Sequence, residues 1–342
     1  MPEGDTIFRA AAKLRAQIQG REIRKAFTGA TGLPLNVGQH RETDSRSDVS
    51  HAGGAGDIAD NKEQRGFTQR PVAPSVVAID PESLSGQKVE SIEARGKHLL
   101  MHLTNACVIH SHMGMDGAWH VYRANQKWQK PVSHADLVLQ FEHATAVCFL
   151  PKLLELLTAA ELKRHRWLRQ LGPDLLATTF DVEEAIQRFR RRDEFPIGEA
   201  VMNQAIVSGI GNVYKSELLF LEQLHPLTKV GKVPDETLAS LLGRARKLMQ
   251  RNVMGGPRRT RFRGDGFNLW VYGRQGEACL KCGETIRLTR QGNLGRTTYY
   301  CPECQPKSET DEIRNPKFET NPNDRRRKVS NHSAKRSEFH SF

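Results

Sequence analysis

Apolar residues recur at Ile7, Ala11, Leu14 and Ile18, the spacing of one helical face, directly behind Asp5 and Thr6, two residues suited to cap a helix. The pattern predicts an amphipathic helix that anchors the start of the chain. From 36 to 75 the sequence turns polar and rich in Gly, Asp, Ser, Arg and Gln, with no leucine, so it cannot bury enough surface to order itself. A disordered insertion between two strands is expected there. Between Lys88 and Leu150, short apolar runs (Leu99 to Leu103, Cys107 to Ile109, Trp119 to Tyr122, Leu137 to Phe141, Ala146 to Leu150) are separated by Gly, Asn, Pro and Asp, the signature of an antiparallel sandwich or barrel. After Leu153 the period becomes helical, with apolar stripes over 159–170, 182–190, 197–207, 212–223 and 234–252. A β part is therefore followed by an α part, and the fold class expected is α+β. Beyond Gln305 the chain is polar, charged and expected to be disordered, with Arg325, Arg326, Arg327 and Lys328 reading as a solvated charge run that touches phosphates weakly at most.

Composition narrows the partners. The 342 residues suffice for two or three domains. A net charge of +12 and a pI near 9.6 imply an anionic partner, with nucleic acid favoured over a membrane surface. No apolar stretch approaches the length of a membrane span, and the start lacks a signal-peptide core. Six cysteines in so long a chain argue for a reducing compartment, the cytosol, over a disulfide framework. Cys107 and Cys148 lie in strand-like runs and read as packing residues.

The strongest chemical signal is Cys279, Cys282, Cys301 and Cys304, spaced C-x2-C-x18-C-x2-C, which fits a four-thiolate zinc site. Four thiolates close the tetrahedron, so one zinc would be structural. Between the pairs, Thr285 to Thr289 and Thr297 to Tyr300 alternate as strands around turn residues 291–295. The metal would staple a β-hairpin, with Arg296 at the end of its turn facing either a phosphate or solvent. Gly209-Ile210-Gly211-Asn212 joins two helical patterns, with Asn212 expected as the N-cap of the second, a place where a helix N-terminus can meet phosphate. Such hairpins are also routine packing motifs. Lys97 stands at a glycine-marked break before an apolar strand. It is either simply exposed or placed to meet phosphate or the negative charge that develops in an elimination.

Pro2 follows the initiator methionine, and removal of Met1 would expose a secondary amine able to attack an electrophilic sugar carbon, with Glu3 beside it to move protons. Proline at position 2 is also common without any such role. Taken in order, Met1-Pro2-Glu3-Gly4-Asp5-Thr6, Gly96-Lys97-His98-Leu99-Leu100, His110-Ser111-His112-Met113-Gly114-Met115-Asp116-Gly117, Leu171-Gly172-Pro173-Asp174, Gly209-Ile210-Gly211-Asn212-Val213-Tyr214-Lys215 and the four cysteines resemble the formamidopyrimidine-DNA glycosylase/endonuclease VIII family. The Pro-Glu-Gly-Asp start is more similar to the endonuclease VIII branch.

The resemblance covers nearly the whole chain outside the insertion and tail. It implies an N-terminal β-sandwich domain over 1–155, a helix–two-turn–helix DNA-binding domain over 156–257, a zinc finger over 258–305 and a basic tail over 306–342. It also implies that Pro2 is the nucleophile, Glu3 the general acid/base and Lys97 an auxiliary catalytic residue facing phosphate. Asn212 and Arg296 would clamp phosphates, and Met115 would fill the gap left by a flipped nucleotide. The implied activity is glycosylase and abasic-site lyase action on duplex DNA carrying oxidised bases or abasic sites, with β- and δ-elimination. It needs no redox cofactor and no catalytic metal, and the expected protein is a cytosolic monomer. Phe149-Leu150-Pro151-Lys152 departs from the formamidopyrimidine branch, which carries an Arg-Phe wedge. Two rivals stand beside this reading: a damaged-DNA-binding protein without turnover, and a zinc-ribbon RNA-binding protein.

Overall fold

The computed structural model describes residues 2–28, the backbone of 75–76, and residues 79–307. The expected insertion, apart from Ser75, and the basic tail from 308 onward lie outside the described residues. Helix α1, Gly4–Ile18, buries the predicted stripe of Ile7, Ala11, Leu14 and Ile18. It begins earlier than Asp5 and Thr6 suggest: Glu3 occupies the N-cap position, and its backbone N–H donates to Thr6 Oγ1 at 3.5 Å.

Behind α1 stand nine strands: β1 (Lys25–Thr28), β2 (Ser75–Val76), β3 (Val89–Arg95), β4 (His98–Leu103), β5 (Cys107–His112), β6 (Ala118–Arg123), β7 (Ala135–Gln140), β8 (Ala144–Phe149) and β9 (Leu153–Thr158). They form a four-stranded sheet ordered β1-β7-β8-β6 and a five-stranded sheet ordered β2-β9-β5-β4-β3. All pairings are antiparallel except β2 with β9, where Ser75 lies opposite Leu153. Leu99, Met101 and Ile109 of one sheet pack with Leu137, Leu139, Ala146 and Cys148 of the other, and α1 lays its stripe into the same core. Cys148 is thus the packing residue expected, and Cys107 is half-buried. The runs expected as strands end at Leu150, and the structure adds one more strand before the helices. Leu153, Leu154 and Leu157 are buried in strand β9 against β5, and helix begins at Ala159, where the first helical stripe was expected. A leucine-rich run of this length carries no period that separates buried strand from helix.

The helical part comprises α2 (Ala159–Arg164), α3 (Arg166–Gln170), α4 (Val182–Arg190), α5 (Ile197–Ala200), α6 (Asn212–Leu221) and α7 (Asp235–Val253). The stripe over 159–170 is two helices broken at His165, whose ring accepts from Leu168 N–H as the cap of α3. The stripe over 197–207 is helical for four residues only, since Asn203 and Gln204 use their side chains to hold turn backbone at Ala205 and Gly209. Beyond α7, strands β10 (Arg287–Gln291) and β11 (Arg296–Tyr300) pair as the expected hairpin, shifted about two residues on its first strand. Gln305 and Gln291 tie that hairpin to the turn after α6 through Leu224 and Pro226 carbonyls.

Candidate active site and nucleic-acid interface

The start of the chain is built into the N-terminus of α6. Glu3 is fully buried, and its carboxylate accepts from Gly211 N at 2.9 Å, Val213 N at 2.8 Å and Tyr214 N at 3.4 Å. A carboxylate there satisfies the unpaired N–H groups of the first turn and meets the positive end of the helix dipole. This corrects the expectation that Asn212 caps α6: Gly211 holds the N-cap position without a side chain, Asn212 is the first helical residue, and Glu3 supplies the acceptor. The two backbones approach closely, with Gly4 N donating to Gly209 O at 2.9 Å, and a Cβ on Gly211 would lie 2.4 Å from Glu3 Cδ. One turn on, Asp5 is buried and bonded by Arg258 through two nitrogens, at 2.7 and 2.9 Å, and by the Tyr214 hydroxyl at 3.1 Å. The Arg258 guanidinium lies 3.7 Å from Glu3.

In front of this anchor lies a cavity of about 900 Å³ whose lining includes Pro2, Lys97, Met115, Asn212, Lys215 and Arg296. Five of the six residues singled out from the sequence for catalysis and DNA contact therefore share one cavity. Glu3, the sixth, sits behind it. Lys97 is presented by the tight turn between β3 and β4, where Gly96 has φ of +59° and packs against Ser208. Burial pushes the Lys97 ammonium down to about 8, against the pull of Glu3 and helped by Arg296 and Arg258. Met115 stands 66 % exposed in the β5–β6 loop, whereas Met113 beside it is buried. Asn212 donates to Thr297 Oγ1 at 3.3 Å, and Arg296 opens strand β11 at the exposed end of the finger turn.

Lys215 was missed. It is 1 % exposed, donates to Thr297 O at 3.1 Å, and is lowered to about 7 by burial first and Arg296 second. Its signal in the sequence was a lysine one turn after the Gly-Ile-Gly-Asn start of that helix. Cavity residues His112 and Lys152 were also missed as site members, and burial with Lys97 and Lys152 nearby brings His112 down to about 4. The three residues 150–152 joining β8 to β9 leave no room for a long wedge, and Leu150 faces the cavity in place of the Arg-Phe pair.

The four cysteine sulfurs of the finger lie within 4.8 Å of one another, with Cys282 and Cys301 at 3.4 Å and Cys279 and Cys304 at 3.9 Å. Thiolates about 2.3 Å from a tetrahedral ion would be separated by roughly 3.8 Å, so this donor set fits a metal closed to further ligands.

A β-sandwich and a helical half that share a basic cavity, with a finger hairpin at its rim, define a nucleic-acid-processing enzyme. Residues 171–263 match the formamidopyrimidine-DNA glycosylase H2TH domain, and residues 61–151 match the N-terminal domain of the same glycosylase. The chain is 34 % identical over 309 residues to the probable endonuclease 8 2 of Streptomyces coelicolor, covering 89 % of this chain and 94 % of that one. It is 31 % identical over 312 residues to the DNA-(apurinic or apyrimidinic site) lyase Nei2 of Mycolicibacterium smegmatis, covering 90 % of this chain and all of that one. The Lactococcus lactis formamidopyrimidine-DNA glycosylase, solved with abasic-site DNA, superposes with a TM-score of 0.65 at 20 % identity, over 90 % of this chain and all of that one. The chain belongs to the formamidopyrimidine-DNA glycosylase/endonuclease VIII family of DNA-repair glycosylases and abasic-site lyases.

Proposed function

We propose that this protein is a bifunctional DNA glycosylase and abasic-site lyase that excises oxidised bases, pyrimidines above all, through a Schiff base on Pro2. The observation that carries the reading is the convergence of Pro2, Lys97, Met115, Asn212, Lys215 and Arg296 on one cavity with Glu3 directly behind. A base within a duplex is out of reach, so the nucleotide is extruded into the cavity at a cost of about a few kcal/mol, and Met115 takes its place in the stack. Asn212, Arg296 and the lysines hold the flanking phosphates.

With Met1 removed, the Pro2 nitrogen forms a bond to C1′ while the bond from C1′ to the base breaks and the base leaves with a proton. Opening of the C1′–O4′ bond with proton delivery to O4′, the step assigned to Glu3, gives the iminium. The iminium acidifies C2′. Loss of that proton expels the 3′ phosphate, and loss of a C4′ proton then expels the 5′ phosphate, leaving a one-nucleotide gap. Water hydrolyses the remaining iminium and restores the proline. One zinc on the four cysteines would fix the finger that carries Arg296 and take no part in these steps. The protein acts as a cytosolic monomer on duplex DNA. No helix among the described residues is long and apolar enough to cross a membrane.

The test is borohydride trapping on duplexes carrying thymine glycol, dihydrouracil, 8-oxoguanine, uracil or an abasic site, with end groups resolved. A covalent adduct lost in Pro2→Gly, and phosphate at both ends of the gap, are expected. Absence of any adduct on every substrate overturns the reading.

A further inference from the structure

Helices α2 and α3 carry four cations within seven residues of chain. Lys163, Arg164, Arg166 and Arg169 are all exposed and, among the described residues, none forms an ion pair. Trp167 lies between Arg166 and Arg169 in sequence at 54 % exposure, whereas Trp119 and Trp128 are 6 % and 7 % exposed and Trp270 is half-buried. The indole borders a second cavity of about 370 Å³ that also touches His98, Gln170 and Leu171. That cavity shares His112, Lys152, Asn203 and Gln204 with the catalytic one, so the two are neighbours with a common wall.

The two helices are firmly seated. His165, at the break between α2 and α3, meets Glu155 Oε1 on β9 at 2.9 Å, and the same oxygen meets His110 Nδ1 at 2.7 Å. Leu168 is buried with Leu100 and Val108 of the five-stranded sheet. The His165 ring packs edge-on to the indole at 5.9 Å. The Trp167 ring is therefore presented by rigid elements.

Exposed cations on the same two short helices as an exposed indole match single-stranded nucleic acid. The cations neutralise phosphates, and the indole takes the face of a base, which stacked duplex DNA does not offer. We propose that Trp167 with Lys163, Arg164, Arg166 and Arg169 is a binding platform for an unstacked stretch of the DNA strand that enters the catalytic cavity. The assignment of DNA as occupant rests on the repair reading, and the platform itself rests on the indole, the cations and the shared wall.

The test is titration of the full chain with an oligothymidylate of about ten nucleotides, followed by tryptophan emission and by anisotropy. The wild type should be quenched on binding. Trp167→Phe should lose the quench while keeping affinity within about twofold, and Trp167→Ala should weaken binding at least about fivefold. Replacing Arg166 and Arg169 together by serine should make the salt dependence shallower. Unchanged emission at saturation, or Trp167→Ala binding as the wild type does, overturns the platform. Tighter binding of oligouridylate than of oligothymidylate overturns DNA as its occupant. The probe carries no lesion, so a quench without any strand scission on damaged duplex would remove the repair reading and leave the platform in place.

Discussion

Gly211 donates its backbone N–H to the Glu3 carboxylate across 2.9 Å and 208 residues of chain, so the third residue of the protein caps a helix in the other half of the fold. The β-sandwich and the helical half are registered to each other at the very residues proposed to react. Gly4 against Gly209, and the Asp5, Arg258 and Tyr214 cluster, repeat that registration on either side.

Gly211→Ala follows directly. Its Cβ would lie 2.4 Å from Glu3 Cδ, inside any tolerable contact, and the helix start cannot retreat because Asn212 and Lys215 are held on Thr297. Glu3 is displaced and Pro2 with it. Misplacement on the scale of 1 Å costs on the order of a hundredfold in rate. Single-turnover cleavage and adduct formation on abasic DNA should fall by at least that much. The far-UV circular dichroism should remain that of the wild type.

Metal removal separates the finger from the rest. Zinc-loaded protein should contain one ion per chain by atomic absorption, and Cys301→Ser should abolish its retention. The cysteines hold strands β10 and β11, and β11 carries both Arg296 and Thr297. Chelation should therefore weaken binding to abasic-site duplex by tenfold or more, because the phosphate contact proposed for Arg296 and the support of Asn212 and Lys215 go together. The α7 and sandwich cores lie elsewhere and should keep their secondary structure.

Acid should unfold the sandwich earlier than carboxylates alone would. His98 is 7 % exposed, and its Nδ1 meets His110 Nε2 at 2.8 Å; burial first, then His112 and His110, bring it down to about 2. Its folded value lies below the unfolded one, so the unfolded chain binds the extra proton. The contribution is full above pH 6.5 and is lost as pH falls. Each unit below 6.5 costs about 1.4 kcal/mol from this group alone. Urea midpoints between pH 7 and 4.5 should fall steeply in the wild type and less in His98→Phe.

How much of this was legible in the sequence depends on range. The α1 stripe, the five runs of the sandwich and the cysteine quartet are local patterns, and each names its own element. Strand β9 was passed over because the leucines at 153, 154, 156 and 157 fall on both faces and show no period of two, and the identity of the α6 cap was misread because the acceptor lies 208 residues away. Pro2, Lys97 and Arg296 were legible as candidates through motif order, but their meeting is a property of the fold. Lys215 and Trp167 were missed for opposite reasons. One is a charge that burial hides inside a helix, and the other is an aromatic that a pattern search assigns to a core.

Lys97 and Lys215 set the pH dependence of DNA binding. Burial lowers them to about 8 and about 7, so near neutral pH the free protein holds fewer protons on this pair than ordinary lysines would. A phosphate entering the cavity adds opposite charge beside both, raises both values, and draws protons from solvent. Binding that takes up protons weakens as pH rises through the free-protein values. Each fully coupled proton changes affinity by up to about tenfold per pH unit. Anisotropy with duplex carrying a tetrahydrofuran abasic analogue should therefore show Kd rising between pH 7 and 9, with little change between 5.5 and 6.5. Lys215→Met should bind more weakly at pH 6.5 and show a shallower rise, since it removes one of the two protons taken up. A Kd flat from pH 6.5 to 9 in the wild type would mean that phosphate never approaches either ammonium.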